Sequence, residues 1–327
     1  MKVPAAAHVE SAEPLTTMPA PKSKTKVTLE GTQGTLLATL YARYLDAGLA
    51  RPVLGDRWAA YVVDQIEWDW ARFRFSKFFC YLMGLRGRQV DEWTARFLEK
   101  HKDTGATIVH LACGLDGRVY RFMDANGGCL PAKMRWIDVD LPDVVPLRRK
   151  LLPKPRASAE TGGSYTLTAS SVLDRDWQQS IPADRPTLLI SEGLAFYLEP
   201  GAGRYMFHDL TERLRGVGGE VVLDCIGSNV VWWQRYNIFN AVKAVNAKFT
   251  WGIDSGREVA QCHPSLRVED DLIWARLPGT KRMDWLNRFL LWLTRGPVPT
   301  MGRLVRLSFE AEGKAPAAVG GDDEAQQ

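Results

Sequence analysis

The sequence predicts an α/β fold in which a mostly parallel sheet carries helices on both faces. Short apolar runs that end in glycine or an acidic residue recur between residues 107 and 224, and helical segments separate most of them. Alternation at this spacing indicates parallel strands joined by crossover helices. The 327 residues, of which 46% are hydrophobic and 24% charged, are ordinary for a globular protein and suffice to bury a large core.

The N-terminal third is predicted to be a helical cap, residues 29–100. Apolar side chains within Leu36–Leu45 recur on one face of a helix. A second helical stretch follows the Pro52–Gly55 turn, and a third covers Asp91–Lys100. The cap would lie on an α/β core of residues 101–312 that includes any substrate-binding insertions.

The core is predicted to contain alternating strands and helices. The strand candidates are Thr107–Gly114, Met134–Val139, Ser164–Thr168, Thr187–Ser191 and Glu220–Asp224. The helix candidates are Arg118–Asp124, Val144–Leu152 and Gly203–Gly216. The two chain ends, residues 1–28 and 313–327, have compositions that predict a disordered lead and a disordered tail.

Composition and charge limit the kinds of partner and the cellular compartment that the sequence predicts. The net charge of +4 is small and the Lys and Arg residues are scattered, which argues against nucleic-acid binding. Five cysteines without a C-x-x-C pair predict neither disulfides nor a metal site, and they suit a reducing compartment. No signal peptide and no transmembrane segment is recognisable, so we expect a cytoplasmic protein.

Polar residues at the ends of the predicted strands indicate a ligand site. The first strand ends at Gly114, the second at Asp138 and Asp140, and the fourth at Glu192. Ligands of open parallel sheets bind at these ends. One glycine turn, in place of G-x-G-x-x-G, disfavours a dinucleotide and suits a ligand without phosphate, such as S-adenosylmethionine (SAM). Either Asp138 or Asp140 could accept hydrogen bonds from ribose hydroxyls.

Three segments in order resemble the leucine carboxyl methyltransferase superfamily, in its branch of O-methyltransferases for polyketides and other secondary metabolites. They are IVHLACGLDGRVYRF (108–122), WIDVDLPDVVPLRRKLL (136–152) and PTLLISEGLAFYLEP (186–200). The resemblance spans roughly residues 30–310 and includes the WGI at Trp251–Ile253. It implies a Rossmann-like class I SAM methyltransferase fold with a seven-stranded sheet and a helical cap.

The resemblance also implies roles for individual residues. Arg86 matches the arginine that binds the SAM carboxylate, and Gly114 the glycine beneath the methionine moiety. Asp140 matches the ribose-binding acid, and Ser171 and Val172 match the pair beside the adenine. Glu192 matches the acid that faces the SAM amino group. Departures occur at Ala112, where relatives often have glycine, at Gly117, where they have threonine, and at Ser171, where aspartate is common.

The catalytic and acceptor-binding residues are less defined by the sequence. Methyl transfer to a hydroxyl profits from a base, and Tyr197, His208 and His263 are the candidates. A carboxylate acceptor needs no base. His110, inside the first strand, is expected to be a satisfied core histidine. The acceptor is predicted to contact aromatic side chains, namely Tyr197, Trp232, Tyr236 and Trp251, drawn from the aromatic stretches 231–239 and 249–251.

The sequence therefore predicts a SAM-dependent methyltransferase that O-methylates a small secondary metabolite at a hydroxyl or a carboxyl. Alternatives are a carboxyl methyltransferase acting on a protein C-terminus or free acid, N-methylation, and a SAM-binding protein without methyltransferase activity. The apolar segment Trp285–Leu293 could be a buried core helix, a homodimer contact or a membrane-surface element, in that order.

Overall fold

The computed structural model describes residues 24–27, 31–157, 162–236, 246–293 and 301–311. Strands β1 (Thr25–Lys26) and β2 (Ile66–Glu67) form a short parallel pair. The central sheet has seven strands, β3 (Ala106–Leu111), β4 (Met134–Asp140), β5 (Ser164–Ala169), β6 (Thr187–Ser191), β7 (Gly219–Ile226), β8 (Arg267–Ile273) and β9 (Gly302–Phe309). Their order in the sheet is β5-β4-β3-β6-β7-β9-β8. Strands β3 to β7 run parallel, and β9 is antiparallel to both β7 and β8. The predicted fold class is confirmed.

The five strands predicted from the sequence are all present, and two were not located in advance, β8 and β9. Strand β8 carries the polar run Arg-Val-Glu-Asp-Asp and is mostly exposed, so it lacks the apolar pattern of a buried strand.

Helices cover both faces of the sheet. Those preceding and within the parallel part are α1 (Gly31–Ala47), α2 (Arg57–Val63), α3 (Lys77–Lys100), α4 (Arg118–Ala125), α5 (Val144–Leu151), α6 (Arg175–Ser180), α7 (Pro200–Leu214) and α8 (Ser228–Trp233). Further helices are Gly256–Ala260 and Trp285–Leu293. Short 3₁₀ turns occur at Trp70–Phe73, Ala195–Tyr197, Gln234–Tyr236, Trp274–Arg276 and Thr280–Arg282.

Alternation along β3 divides the core into two layers. Ile108 packs with the helices of the N-terminal third, whereas Val109 and Leu111 pack with α7 on the opposite face. This follows from the period of two in a strand, which sends successive side chains to opposite faces of the sheet. The helices α1, α2 and α3 thus cover one face above the carboxyl ends of the strands.

Two expectations need correction. Part of the predicted lead is ordered, because Thr25–Lys26 pairs in parallel with Ile66–Glu67 and Val27 is buried. Residues 1–23 and the predicted tail 313–327 lie outside the described residues. The Trp285–Leu293 segment is helical, but only Asn287 and Leu291 are buried in it. It is therefore not a core helix.

Candidate active site

A cavity of about 630 Å³ lies at the carboxyl ends of β3, β4 and β6. The strand order reverses here, since β4 and β5 follow on one side of β3 while β6 and β7 follow on the other. This switch point is where open α/β sheets bind ligands. Side chains of α1 and α3, including Leu36, Arg43 and Arg86, form the opposite wall. The helical cap and the sheet therefore enclose the site together.

The turn after β3 forms one side of the cavity. Ala112 and Gly114 both have left-handed backbone conformations, with φ of 49° and 51°. Glycine adopts this conformation without strain, so the glycine that the family resemblance implies at the Ala112 position would suit this turn. The Gly114 N–H donates a 2.6 Å hydrogen bond to Asp140 Oδ2, so the turn is fixed to the end of β4.

Packing against helix α2 of the cap explains why position 117 holds a glycine and not the threonine that the family resemblance implies. A Cβ at Gly117 would lie 2.6 Å from the Cβ of Trp58, the second residue of α2. Trp58 is buried, and its indole N–H donates to Asp124 at 2.9 Å. A threonine at position 117 would therefore clash with this tryptophan. The departure from the family pattern is accommodated by local packing.

Of the two acids at the end of β4, Asp140 faces the cavity and Asp138 does not. Asp140 lines the cavity and accepts hydrogen bonds from the N–H groups of Gly114 and Leu141. Burial raises its pKa. A carboxylate in this place has oxygen lone pairs left for the two hydroxyls of a ribose.

The carboxylate oxygens of Asp138 instead accept hydrogen bonds from inside the protein. Asp138 is fully buried and accepts hydrogen bonds from Arg148 (2.7 Å), the Tyr165 hydroxyl (2.8 Å) and the Trp136 indole (2.7 Å). Burial raises its pKa, but Arg148 and hydrogen bonds from His110 and Trp136 outweigh burial and lower the pKa to about 2. Asp138 does not line the cavity. The structure therefore offers no ribose contact to Asp138.

Glu192 is the centre of a buried group of charges, here called the Glu192 cluster: Glu192, Arg43, Arg86 and Arg118. Its Oε1 accepts hydrogen bonds from Arg43 Nη2 at 2.6 Å and Arg86 Nε at 2.9 Å, and its Oε2 accepts one from Arg118 Nη2. Burial raises the pKa of Glu192, yet the three guanidinium groups lower it more, to below its usual value. Glu192 is therefore ionised at neutral pH.

The cluster continues into further acids. Arg43 Nη1 contacts Asp116 Oδ1 at 2.7 Å, and Arg86 Nη1 donates to Asp224 Oδ2 at 2.9 Å. Arg118 Nε donates to Asp91 Oδ1 at 2.6 Å. Buried charges require such pairing, because an isolated buried ion is costly. Arginines of α1, α3 and α4 are in this way tied to acids on several elements.

Arg86 occupies the place expected for binding a carboxylate. It lines the cavity, and its hydrogen-bonded nitrogens are Nε and Nη1. Its Nη2 lies 4.0 Å from where a Cβ on Gly193 would be, and Gly193 also lines the cavity with a φ of 74°. The absence of a side chain at Gly193 thus leaves the face of Arg86 open.

Ser171 and Val172 also line the cavity, as expected, at the loop after β5. The Ser171 hydroxyl accepts a hydrogen bond from the Leu173 N–H at 3.2 Å. Ser170, one residue earlier, donates to Asp174 Oδ2 at 2.9 Å. The loop therefore offers small hydroxyl groups and the apolar side chains of Val172 and Leu173 to a flat ring.

Only one of the three candidate bases lines the cavity. Tyr197 lines it, and burial raises its pKa to about 12 despite a hydrogen bond with Thr35. His208 and His263 lie away from it on the α7 side of the sheet, 5.2 Å apart between ring centroids. His263 contacts Ser265 (2.7 Å) and Glu212 (2.9 Å). The structure therefore does not place either histidine at the reaction site.

His110 is buried, as expected, but it also reaches the cavity floor. Its Nε2 lies 3.2 Å from Arg118 Nη1, and its Nδ1 lies 3.5 Å from Asp138 Oδ1. It lines the cavity from strand β3. Its ring connects the Glu192 cluster to Asp138 and is part of the buried charge network.

The predicted acceptor-binding aromatics are only partly correct. Tyr197 lines the cavity, as does Phe249 of the predicted aromatic stretch. Trp232 and Tyr236 are exposed and pack edge to face on each other. Trp251 is buried against α7 in the core. None of these three tryptophan and tyrosine side chains lines the cavity, so the structure does not bring them together with Tyr197.

Replacing Gly203 by alanine should destabilise the protein by about 1–3 kcal/mol, because it overpacks the contact with Trp251. A Cβ on Gly203 would lie 2.3 Å from Cζ3 of the Trp251 ring. Gly201→Ala in the same helix is a matched control, since nothing lies within 4 Å of its added Cβ. It should be neutral or slightly stabilising. Urea unfolding measures the free energy of unfolding of both variants. Equal values for Gly203→Ala and Gly201→Ala would refute the core position of Trp251.

Several cavity residues carried no signal in the sequence. They are Arg43, Asp56, Arg74, Phe75, Phe79 and Asp116. His110 was expected to be a core histidine, and its place at the cavity was not predicted. Arg43 is the ninth residue after Gly34 in an amphipathic helix, and little in that pattern distinguishes it from a solvated arginine. The one available signal was its spacing of seven residues, two helical turns, from Leu36, which places Arg43 at the edge of the apolar face of α1.

The residues at the cavity fit SAM. Asp140 suits the ribose hydroxyls, and Arg86 suits a carboxylate. The buried Nε of Arg43 has no hydrogen-bond partner among the described residues and provides a further donor. The absence of a glycine-rich phosphate loop agrees with a ligand without phosphate. The fold and the site together define a class I SAM-dependent methyltransferase.

The chain belongs to the leucine carboxyl methyltransferase family, whose sequence model matches residues 37–211. It is 37% identical over 252 residues to the tetracenomycin polyketide synthesis O-methyltransferase TcmP of Streptomyces glaucescens, covering 77% of this chain and 85% of the relative. It is 35% identical over 283 residues to the SAM-dependent methyltransferase dpfgK of Gibberella zeae, covering 82% and 91%. The protein is therefore a SAM-dependent methyltransferase.

Solved structures agree on the fold. A methyltransferase structure from Thermobifida fusca superposes with a TM-score of 0.50 at 15% identity, covering 83% of this chain and 94% of the other. A structure from Streptomyces avermitilis has the same TM-score at 9% identity and covers 86% and 98%. Within the described part of the chain, no helix is both long enough and apolar enough to cross a bilayer.

Proposed function

We propose that this enzyme O-methylates a small lipophilic secondary metabolite of polyketide type, with a carboxylate as the favoured acceptor. The observation that carries this proposal is the division of the cavity into a polar end and an apolar end. Asp140 and Glu192 lie at the strand ends and Arg86 faces them from α3, whereas aromatic and aliphatic side chains line much of the rest. The Streptomyces glaucescens relative, a tetracenomycin polyketide synthesis O-methyltransferase, supports the acceptor class.

The polar end would hold the methyl donor. Asp140 would accept the ribose hydroxyls, Arg86 would bind the carboxylate through Nη2, and Glu192 would orient the amino group through its remaining lone pairs. Ser171 and Val172 would border the adenine. When bound there, SAM supplies an activated methyl group. The protein's contribution is to align the acceptor and to exclude water.

The apolar end suits a flat, lipophilic acceptor. Its walls include Phe75 and Phe79 from the start of α3, Phe196 and Tyr197 from the turn after β6, and Phe249. Phe196 and Phe249 meet edge to face with ring centroids 5.4 Å apart. Apolar and aromatic walls with few polar groups are typical of small-molecule sites. A protein C-terminus would need an open groove that continues past the cavity.

The choice of a carboxylate follows from proton chemistry. Among the described residues that line the cavity, the candidate base Tyr197 stays protonated, because its pKa is raised to about 12. Asp140, Glu192 and Asp116 are engaged in hydrogen bonds or ion pairs. His110 is held between Arg118 and Asp138 in the buried charge network. A carboxylate is ionised at neutral pH and needs no base, whereas a phenol with a pKa of about 10 would profit from one.

Arg74 supports an anionic acceptor. It lines the apolar end, is exposed, and has a left-handed backbone conformation with a φ of 43°. Such a conformation in a residue other than glycine is strained and often marks a functional position. Arg43 and Arg86 are paired with acids, but Arg74 has no acidic partner among the described residues. We propose that Arg74 steers an acidic acceptor into the cavity.

The test is a panel of matched acceptors, namely an anthraquinone carboxylic acid, the corresponding phenol and the corresponding amine, each incubated with labelled SAM. We expect a methyl ester from the acid, recognised by its cleavage in mild base. In the Arg74→Gln variant the KM for the acid should rise about tenfold with little change in kcat. Arg72→Gln is the control, since Arg72 is exposed and stacks over Trp68.

Other outcomes would overturn the proposal. Methyl ether from the phenol without ester would replace the carboxyl by the hydroxyl as the acceptor. N-methyl product alone would replace oxygen by nitrogen. If S-adenosylhomocysteine binds but no acceptor of the panel is methylated, acceptor chemistry of this type is refuted. An equal rise in KM for Arg72→Gln would refute the specific role of Arg74.

The domain organisation and the surroundings of the enzyme complete the proposal. We propose that the cap and the core function as one unit, because Arg43 and Arg86 of the cap pair with Glu192 of the core. A cytoplasmic location is supported by the five cysteines, none of which forms a disulfide. The proposed partner is the small-molecule acceptor, without nucleic acid.

A further inference from the structure

The helix Trp285–Leu293 exposes an unusual amount of apolar surface. Six of its nine side chains are large, apolar and exposed, namely Trp285 (78% exposed), Leu286 (50%), Phe289 (50%), Leu290 (41%), Trp292 (58%) and Leu293 (51%). Single exposed apolar side chains are normal, but a contiguous patch marks an interaction site. We call these six side chains the apolar ridge.

The helix is amphipathic in the reverse of the usual sense. At about 100° per residue, the buried Asn287 and Leu291 point in one direction and Phe289 points in the opposite one. Trp285, Trp292 and Leu293 flank Phe289 on the outward side. A surface helix normally turns its polar face to water. Here the outward side of the helix is apolar, so we expect this face to contact an apolar surface and not water.

The surroundings of the ridge are basic. Residues 276–293 contain Arg276, Lys281, Arg282 and Arg288, all exposed, against the single acid Asp284. Asp284 is neutralised by Lys77 at 3.1 Å and accepts hydrogen bonds from Asn287. Basic residues beside an apolar, aromatic helix face are typical of helices that lie on anionic membranes.

We infer that the apolar ridge docks the enzyme on an anionic lipid bilayer surface. Trp285 and Trp292 suit the boundary between head groups and acyl chains, and the cations suit anionic head groups. A second copy of this chain is a poorer occupant. A two-fold contact through this helix would bring the basic residues of both copies together, with one already paired acid in each copy to offset them.

The ridge lies beside the cavity. Lys77, which pairs with Asp284, begins α3 between the cavity residues Phe75 and Phe79. Met301, which also lines the cavity, is 43% exposed. A bilayer that contacts the ridge would therefore lie close to the apolar end of the cavity.

Vesicle flotation of the full-length protein tests the inference. We expect the protein to float with vesicles of equal parts phosphatidylcholine and phosphatidylglycerol, and less with phosphatidylcholine alone. The double variant Trp285→Ser/Phe289→Ser should lower partitioning by about tenfold or more. A matched control is Trp232→Ser/Tyr205→Ser, which removes two exposed aromatic side chains elsewhere (48% and 55% exposed). It should partition as the wild type does.

Three results would overturn the inference. One is a wild type that remains unbound with both vesicle compositions. Another is equal loss of partitioning in the control variant. The third is a dimer in analytical ultracentrifugation that Trp285→Ser/Phe289→Ser dissociates while vesicle binding is absent, which would assign the ridge to a second copy. Thermal unfolding of each variant checks that partitioning is compared between folded proteins.

Discussion

Replacing Asp140 by alanine should lower the affinity of the enzyme for S-adenosylhomocysteine by about a hundredfold or more. The proposed ribose contact consists of two hydrogen bonds to a carboxylate, each worth about 1.5 kcal/mol or more, and 1.4 kcal/mol corresponds to a tenfold change in affinity. The variant also loses the acceptor that fixes the Gly114 N–H at 2.6 Å. Both effects weaken the same end of the cavity. Isothermal titration calorimetry measures the affinity.

Asp143→Ala is the control for Asp140→Ala. Asp143 is an exposed acid three residues further along, at the start of α5, and it does not line the cavity. Its removal should change the affinity by about twofold at most. Unchanged affinity in Asp140→Ala, with the fold intact by thermal unfolding, would show that the ribose is bound elsewhere.

The same carboxylate should give the affinity a pH dependence. Burial raises the pKa of Asp140, and hydrogen bonds from Gly114 and Leu141 oppose this only partly. The ionised form accepts two ribose hydroxyls, so affinity should be complete above the raised pKa and should fall as pH decreases through it. Asp140→Ala should lack this step. An identical pH profile in both proteins would contradict the assignment.

Replacing Glu192 by alanine should lower the free energy of unfolding by about 3–5 kcal/mol, because it leaves buried arginines without their common partner. Arg43, Arg86 and Arg118 all donate to this carboxylate. Each arginine also pairs with another acid, Arg43 with Asp116, Arg86 with Asp224 and Arg118 with Asp91, which softens the loss but leaves the N–H groups that face Glu192 without an acceptor. Urea denaturation at neutral pH measures the effect.

The contribution of Glu192 to the free energy of unfolding should depend on pH in a definite direction. The pKa of Glu192 is lowered in the folded protein, since the three guanidinium groups outweigh the effect of burial. A lowered carboxyl pKa stabilises the fold above the unfolded pKa, and the stabilisation is lost as pH falls through the folded pKa. The difference between wild type and Glu192→Ala should therefore be full at neutral pH and shrink in acid.

Glu199→Ala provides the comparison for Glu192→Ala. Glu199 is exposed at the start of α7, and its side chain makes no capping hydrogen bond. Its removal should change stability by about 0.5 kcal/mol or less. A loss below about 1 kcal/mol in Glu192→Ala would mean that the remaining acids suffice to compensate the arginines.

The sequence predicted the sheet and the polar end of the cavity because both depend on local pattern. Apolar runs mark the parallel strands, and residues that follow them, such as Gly114, Asp140 and Glu192, must lie at one edge of the sheet. Asp138 and Asp140 share a side of β4, so periodicity alone did not separate them. Asp138 differs from Asp140 because Arg148 and Tyr165, which are distant in sequence from each other, donate hydrogen bonds to it.

The positions of the predicted aromatic and histidine side chains likewise depend on long-range packing. Trp251 is buried against Gly203, and no pattern around residue 251 reveals a glycine 48 positions earlier in the chain. His208 and His263 were chosen for their chemistry, but α7 places them on the other face of the sheet. The residues that complete the site, such as Arg43 and Arg74, lie in the cap, whose docking on the core is determined by long-range contacts.

The Glu192 cluster affects how ligands can enter and leave the cavity. Ion pairs from α1 and α3 to the sheet are buried, so swinging the cap away as a lid would expose and separate several charges at a cost of several kcal/mol. Cavity residues reach solvent at two rims instead, near Leu141 and Leu173 and near Arg74 and Met301. Exchange of spent donor and methylated product is therefore expected to use these exposed parts of the cavity wall and not an opening of the whole cap.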